Sequence, residues 1–138
     1  MALESPESDR SNVTVLVVDD QSPFREAARA VLQRLSGFDL IGEAESGEDA
    51  VERVGELHPD LVLMDINMGG IDGIEATARI TALHPTVKVV LLSTYELSDL
   101  PPAARTSGAV AYVNKDDFGG RALRRLWEAG GDPTFSAR

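Results

Sequence analysis

Val13-Thr14-Val15-Leu16-Val17-Val18-Asp19-Asp20-Gln21-Ser22-Pro23 decides the fold. Six almost continuously apolar, mostly β-branched residues suit a strand covered on both faces, as in a parallel sheet. The polar stretch that follows, Asp19 to Pro23, ends the strand with turn and cap chemistry. Phe24, Ala27, Ala28, Val31, Leu32 and Leu35 then recur at helical spacing, and Gly37 stops that helix.

The alternation repeats down the chain. Asp39–Ala44 is a half-polar strand that fits a sheet edge, followed by a helix marked by Ala50, Val51, Val54 and Leu57. Leu61–Asp65 is a buried strand; Gly73, Ala76, Thr77, Ile80 and Leu83 line one face of the next helix. Val87–Ser93 is buried strand, and a short helix is expected over Pro101–Ser107, with Pro101 in its first turn. Val110–Val113 and a helix from Gly119 to Ala129 complete five β-then-α units. Leu57-His58-Pro59 and Leu83-His84-Pro85 each close a helix just before a buried strand, because proline disfavours helix at the residue before it. Such an order predicts a three-layer α/β sandwich with right-handed crossovers.

Composition bounds the rest. With 138 residues, 43% of them hydrophobic, the chain suffices for one domain and is too short for two. Residues 1–12 read as a disordered tail, 13–130 as the folded domain, and 131–138 as a C-terminal tail in which Gly130-Gly131-Asp132-Pro133 ends the last helix and the final five residues look frayed. Twenty-three acidic residues against 13 basic ones give a charge of −10, which argues against nucleic-acid binding by this chain. The absence of cysteine excludes a disulfide scaffold, a thiol nucleophile and Cys-based metal sites. No apolar run approaches the ~20 residues of a membrane span, and the acidic, polar start is no signal peptide. The expected location is the cytoplasm.

In a doubly wound sheet, ligands sit at the carboxyl ends of the strands. There the predicted strands deliver Asp19 and Asp20, Asp65, Ser93 and Thr94, and Asn114 and Lys115. Two carboxylates ~4 Å apart repel by about 4 kcal/mol at an effective dielectric of 20, so three of them need protonation or a cation, and one lysine offsets only part. An all-oxygen cluster suits a hard cation, Mg²⁺ first and Mn²⁺ second, which leaves room for phosphate oxygens. Neither GxxxxGK[ST] nor GxGxxG occurs, so P-loop or dinucleotide chemistry is unsupported. Asp65, ending the central strand, is placed as a carboxylate nucleophile.

These residues carry a family resemblance. Leu16–Asp20, the segment Leu63-Met64-Asp65-Ile66-Asn67-Met68-Gly69-Gly70-Ile71-Asp72-Gly73, Leu91-Leu92-Ser93 and Gly108–Lys115 together resemble the receiver domain of two-component response regulators, of the CheY-like superfamily. The pattern leans toward receivers of the NarL/FixJ/LuxR type, which often precede a DNA-binding domain. The resemblance implies a flavodoxin-like (βα)5 fold with parallel strand order 2-1-3-4-5. It implies that Asp65 takes a phosphoryl group from a sensor histidine kinase or phosphotransfer protein. It further implies that Asp19, Asp20 and Asp65 hold Mg²⁺, with the Asn67 carbonyl. Lys115 would pair with a phosphoryl oxygen, Ser93 would turn to another, and Tyr112 would move inward. The fourth helix, fifth strand and fifth helix would then face a partner or a second copy. Such a domain slowly dephosphorylates itself and turns over no separate substrate.

Two departures from the pattern stand out. Gly69, followed by Gly70, stands where the family usually has proline and is expected to free the loop. Pro101-Pro102 is expected to delay the fourth helix. Blander readings accompany other residues. Asp72 reads as a helix cap. Thr94 competes with Ser93, and Tyr95 could flank the phosphoryl site and slow hydrolysis. His58 and His84 read as helix-end residues. Arg121, Arg124 and Arg125 are a solvated face or a docking patch, and Leu123 and Trp127 core or interface. Two other functions remain open: an aspartyl-nucleophile phosphatase, weakened because Asn67 stands where a second Asp would act as acid, and an interaction module that works without phosphorylation.

Overall fold

The apolar runs find cover on both faces of one parallel sheet in the computed structural model, which describes residues 12–136. The strands are β1 (Val13–Val18), β2 (Phe38–Ala44), β3 (Leu61–Asp65), β4 (Lys88–Ser93) and β5 (Ala111–Asn114), in the order β2-β1-β3-β4-β5. All five residues of β3 are buried, as its continuous apolar sequence requires of a central strand. β2 lies at an edge and is mostly half-buried, matching its mixed sequence.

The helices are α1 (Ser22–Arg34), α2 (Gly47–Leu57), α3 (Gly73–Leu83), α4 (Pro102–Arg105), α5 (Gly120–Ala129) and α6 (Pro133–Ser136). Ala28 and Leu32 of α1 and Leu123 of α5 pack with Val15, Val17, Leu63 and Leu92 in one core layer. Ala50 and Val54 of α2 and Ala76 and Ile80 of α3 pack with Leu16, Val62, Met64 and Leu91 in the other. Ser46 and Asp72 cap α2 and α3 by accepting the backbone N–H groups of Asp49 (3.0 Å) and Glu75 (2.9 Å). His58 and His84 stand at the C-caps of the same two helices, their rings 6.0 Å apart.

Three expectations need correction. Leu83 is 65% exposed rather than part of the α3 core face, which ends at Ile80. The fourth helix is a single turn that starts at Pro102, with Pro101 as its N-cap, after a 3-10 turn over Leu97–Asp99; it does not reach Ser107. The C-terminal residues are ordered as far as Ser136, since α6 forms beyond Gly130 and Phe135 is 2% exposed. The expected N-terminal tail lies outside the described residues except for Asn12, whose side-chain amide donates to Asp39 (3.2 Å).

Candidate functional site

β1 and β3 run side by side, with Val18 opposite Met64, so the carboxylates that follow them emerge together. Oxygens of Asp19, Asp20 and Asp65 lie within 4.8 Å of one another. Asp19 is wholly buried and Asp20 exposed, which gives the cluster a closed floor and an open side. Each Asp19 oxygen is engaged: Oδ1 accepts the Gln21 N–H (2.9 Å) and Oδ2 the Lys115 ammonium (2.7 Å). Arg25 of α1 donates to the Asp19 carbonyl (2.7 Å) while pairing with Glu43 (3.3 Å), so the turn after β1 is tied to β2.

Lys115 follows β5 directly, in a 3-10 turn over Lys115–Asp117. Its Nζ lies 3.1 Å from Asp65 Oδ1 as well as 2.7 Å from Asp19. The ammonium sits 4.7 Å from the Phe24 ring centroid, and Phe118 packs against that ring at 5.6 Å. Burial opposes the Lys115 charge, yet its bonds to Asp19 and Asp65 outweigh this and hold its pKa above the ordinary value. Burial pushes Asp65 up to about 6; the Asp19 charge adds to the rise and Lys115 opposes it. With all three carboxylates ionised and Lys115 protonated, the cluster carries a formal −2. Such an all-oxygen, doubly negative set fits one hard divalent cation.

The loop after Asp65 is less free than its two glycines suggest. Gly70 takes φ +75°, a conformation that favours glycine, but the adjoining Ile71 N–H donates to Glu48 of α2 (3.1 Å). That bond holds the Glu48 carboxyl below its ordinary pKa. Gly73 then brings the start of α3 against β3, its N–H donating to the Ile66 carbonyl (2.9 Å). A Cβ at Gly73 would drive into the backbone carbonyl of Asp65 and to 2.9 Å from the Ile66 Cα. Gly73→Ala is therefore expected to cost about 3 kcal/mol of stability, as overpacking against rigid backbone does. A urea midpoint equal to the wild-type value would contradict this contact.

At the end of β4, Ser93 is 1% exposed and Thr94 is exposed. The Ser93 hydroxyl accepts the Tyr95 N–H (3.0 Å) and shares a hydrogen bond with the Tyr112 hydroxyl (2.9 Å). Tyr112 also donates toward the carbonyls of Tyr95 (2.5 Å) and Ser93 (3.0 Å). Burial raises the Tyr112 pKa, so the phenol stays protonated near neutrality. Tyr112 is thus already drawn onto Ser93. Asn114 donates to the Tyr95 carbonyl (3.0 Å), and the Tyr95 hydroxyl reaches the exposed Asn67 side chain (3.3 Å).

The strand-end residues named from sequence thus assemble at one sheet edge. Three contributors escaped that reading: Phe24, which reads as ordinary helix face, and Glu48 and Arg25, which no motif singles out. In the basic group of α5, Arg124 donates to the Ser36 carbonyl (2.6 Å) and lies over the Phe38 ring (5.6 Å), while Arg121 and Arg125 stay exposed. Leu123 is core and Trp127 is half-buried against it.

A doubly wound sheet of this order, with an acidic cluster bonded to a lysine after β5, defines a receiver-type signalling domain. The chain belongs to the response regulator receiver domain family, whose model matches residues 15–125. Response regulator GacA of Pseudomonas viridiflava is 39% identical over 103 residues, covering 75% of this chain and 48% of that protein. Protein-glutamate methylesterase/protein-glutamine glutaminase 5 of Myxococcus xanthus is 39% identical over 129 residues, 93% of this chain and 36% of that one. The signal receiver domain of the putative response regulator NarL from Mycobacterium tuberculosis superposes with a TM-score of 0.79 at 27% identity, over 86% of this chain and 96% of that one. The chain spans about half the length of the first of these relatives and about a third of the second. No helix among the described residues is long and apolar enough to cross a membrane.

Proposed function

We propose that Asp65 is the phosphoacceptor and that a sensor histidine kinase, or a phosphotransfer protein, is the donor. One observation carries this reading: the Lys115 ammonium bonds both Asp19 and Asp65 beside the exposed carboxylate of Asp20. An Asp65 oxygen attacks phosphorus, the bond from phosphorus to the donor imidazole nitrogen breaks, and the imidazole leaves with the electron pair. Lys115 pairs with a phosphoryl oxygen as Asp65 gives up its charge to the acyl phosphate. Asp19, Asp20 and Asp65, with the Asn67 carbonyl, would hold Mg²⁺, which supplies charge neutralisation at the phosphoryl oxygens. Ser93 turns its hydroxyl to a phosphoryl oxygen, and the surface of α4, β5 and α5 changes for a partner or a second copy. The domain turns over no separate substrate.

The test is the intact mass of the protein after incubation with a small acyl phosphate donor and Mg²⁺. Gain of one phosphoryl group is expected, and no gain in the wild type would sink the reading. Tyr95, whose hydroxyl stands over Asn67, shields the phosphoryl group from water in this reading. Tyr95→Ala is expected to shorten the acyl phosphate lifetime about threefold, worth about 0.7 kcal/mol of barrier. An unchanged decay rate would remove Tyr95 from the account.

A further inference from the structure

The loop between Asp65 and α3 is pinned at two points. At its start, the Ile66 N–H donates to the Leu92 carbonyl (3.0 Å) and the Ile66 carbonyl accepts the Gly73 N–H (2.9 Å). At its far side, the first two residues of α2 meet Gly70 and Ile71. A Cβ on Gly47 would lie 2.6 Å from Ile71 Cγ1 and 2.7 Å from the Ile71 carbonyl oxygen, so glycine there is what admits Ile71. Glu48 beside it accepts the Ile71 N–H through Oε2 (3.1 Å). The same oxygen would lie 2.7 Å from a Cβ on Gly70. Between the two pins run Asn67, Met68, Gly69 and Gly70, of which only Met68 is half-buried and the rest are exposed.

We propose that Glu48 is a positioning residue for the cation site: by holding Ile71 it fixes the backbone that carries the Asn67 carbonyl. The proposal rests on the reading in which that carbonyl joins Asp19, Asp20 and Asp65 around Mg²⁺. Glycine loses more conformational freedom on being fixed than any other residue, and this segment has two in a row. A carbonyl that must be ordered as the cation binds weakens binding by the cost of ordering it. Proline at position 69 would remove that freedom in advance. Its place is sterically open, since a Cβ on Gly69 meets nothing within 4 Å. The φ of +75° at Gly70 suits the third position of a type II turn, whose second position favours proline. With glycine there instead, the bond from α2 does the fixing. Glu48 is not among the clustered carboxylates, so it acts through the loop.

The experiment titrates the full chain with Mg²⁺ alone, followed by backbone amide signals around Asp20 and Asn67. Amide exchange at Ile71 is read on the same samples. Glu48→Ala should weaken Mg²⁺ binding about fivefold, the worth of one hydrogen bond, and should speed Ile71 exchange. Glu48→Gln keeps an acceptor oxygen on the same stem and should stay within about twofold of the wild type. The two variants remove the same charge, so a through-space charge effect would weaken both alike. Adding Gly69→Pro to Glu48→Ala should restore wild-type affinity, while Gly69→Pro alone should change it less than about twofold. The comparison of Ala with Gln stands even if the proline variants fail to fold. Unchanged affinity or unchanged Ile71 exchange in Glu48→Ala, equal losses in Ala and Gln, or folded proline variants that gain equally or not at all overturn the positioning role. Each leaves the cation and phosphoacceptor readings standing. A wild type that binds no Mg²⁺ overturns both the positioning role and the cation site.

Discussion

Asp65→Asn should abolish the mass gain with a small acyl phosphate donor and Mg²⁺, and at the same time make the metal-free protein more stable. The first effect follows because an amide oxygen is too weak a nucleophile to form the acyl phosphate. The second follows from the site's charge. Asp65 is 4% exposed, faces Asp19, and has its pKa raised from 3.8 to about 6. The folded protein therefore holds this proton more tightly than the unfolded chain does. Stability from that preference is complete below about pH 3.8 and is lost as pH rises through about 6. A full rise of this size is worth about 3 kcal/mol, and solvent on the open side of the site reduces it to about 1–2 kcal/mol. Asparagine behaves as a permanently neutral Asp65. The variant and the wild type should melt together near pH 4, and the variant should melt about 3–8 °C higher at pH 7. Added Mg²⁺ should narrow the gap, because it binds the wild-type cluster more tightly. A melting difference that is largest at pH 4 would contradict this sign.

Lys115→Met should have the opposite effect on stability and a comparable one on chemistry. Lys115 is the cation within salt-bridge distance of both Asp19 and Asp65, and Asp19 is wholly buried. Removing one partner of a buried pair leaves an uncompensated charge, which costs about 3–5 kcal/mol. The cluster goes from a formal −2 to −3, so Mg²⁺ should bind more tightly and restore more stability than it adds to the wild type. Phosphorylation should still fall about 100-fold or more, since a positioned donor at the phosphoryl oxygens is lost. Melting curves with and without Mg²⁺, paired with phosphorylation rates, check both halves. An unchanged melting temperature in the metal-free variant would show that the ion pairs contribute nothing.

The sequence predicted the fold most securely where it was most one-sided. β1, β3 and β4 are apolar along most of their length, and such runs need cover on both faces, which in turn demands helices on each side of a parallel sheet. Once that sheet is accepted, strand-end residues distant in sequence, such as Asp19 and Lys115, must share an edge; they lie 2.7 Å apart. What stayed hidden depends on contacts that no local period encodes. Leu83 keeps helical spacing with Ile80, yet α3 turns it away from the core. Gly130-Gly131-Asp132-Pro133 reads as an ending, but Phe135 finds a buried seat beside Ala104, far away in sequence. Glu48 gave no sign that it would clamp the Ile71 amide and steady the two-glycine loop. Phe24 was visible as an apolar helix residue, while its place beneath the Lys115 ammonium depends on how α1 meets the turn after β5.

The central claim is that the phosphoryl group resides on Asp65 and nowhere else. Borohydride reduces an acyl phosphate of aspartate to homoserine, so reduction of the phosphorylated wild type followed by peptide mass mapping reads the modified position directly. Homoserine at position 65, in the peptide carrying Ile66 and Asn67, is the predicted result. Reduction at Asp19, Asp20 or Asp72, or a phosphoryl group retained on a hydroxyl, would contradict it.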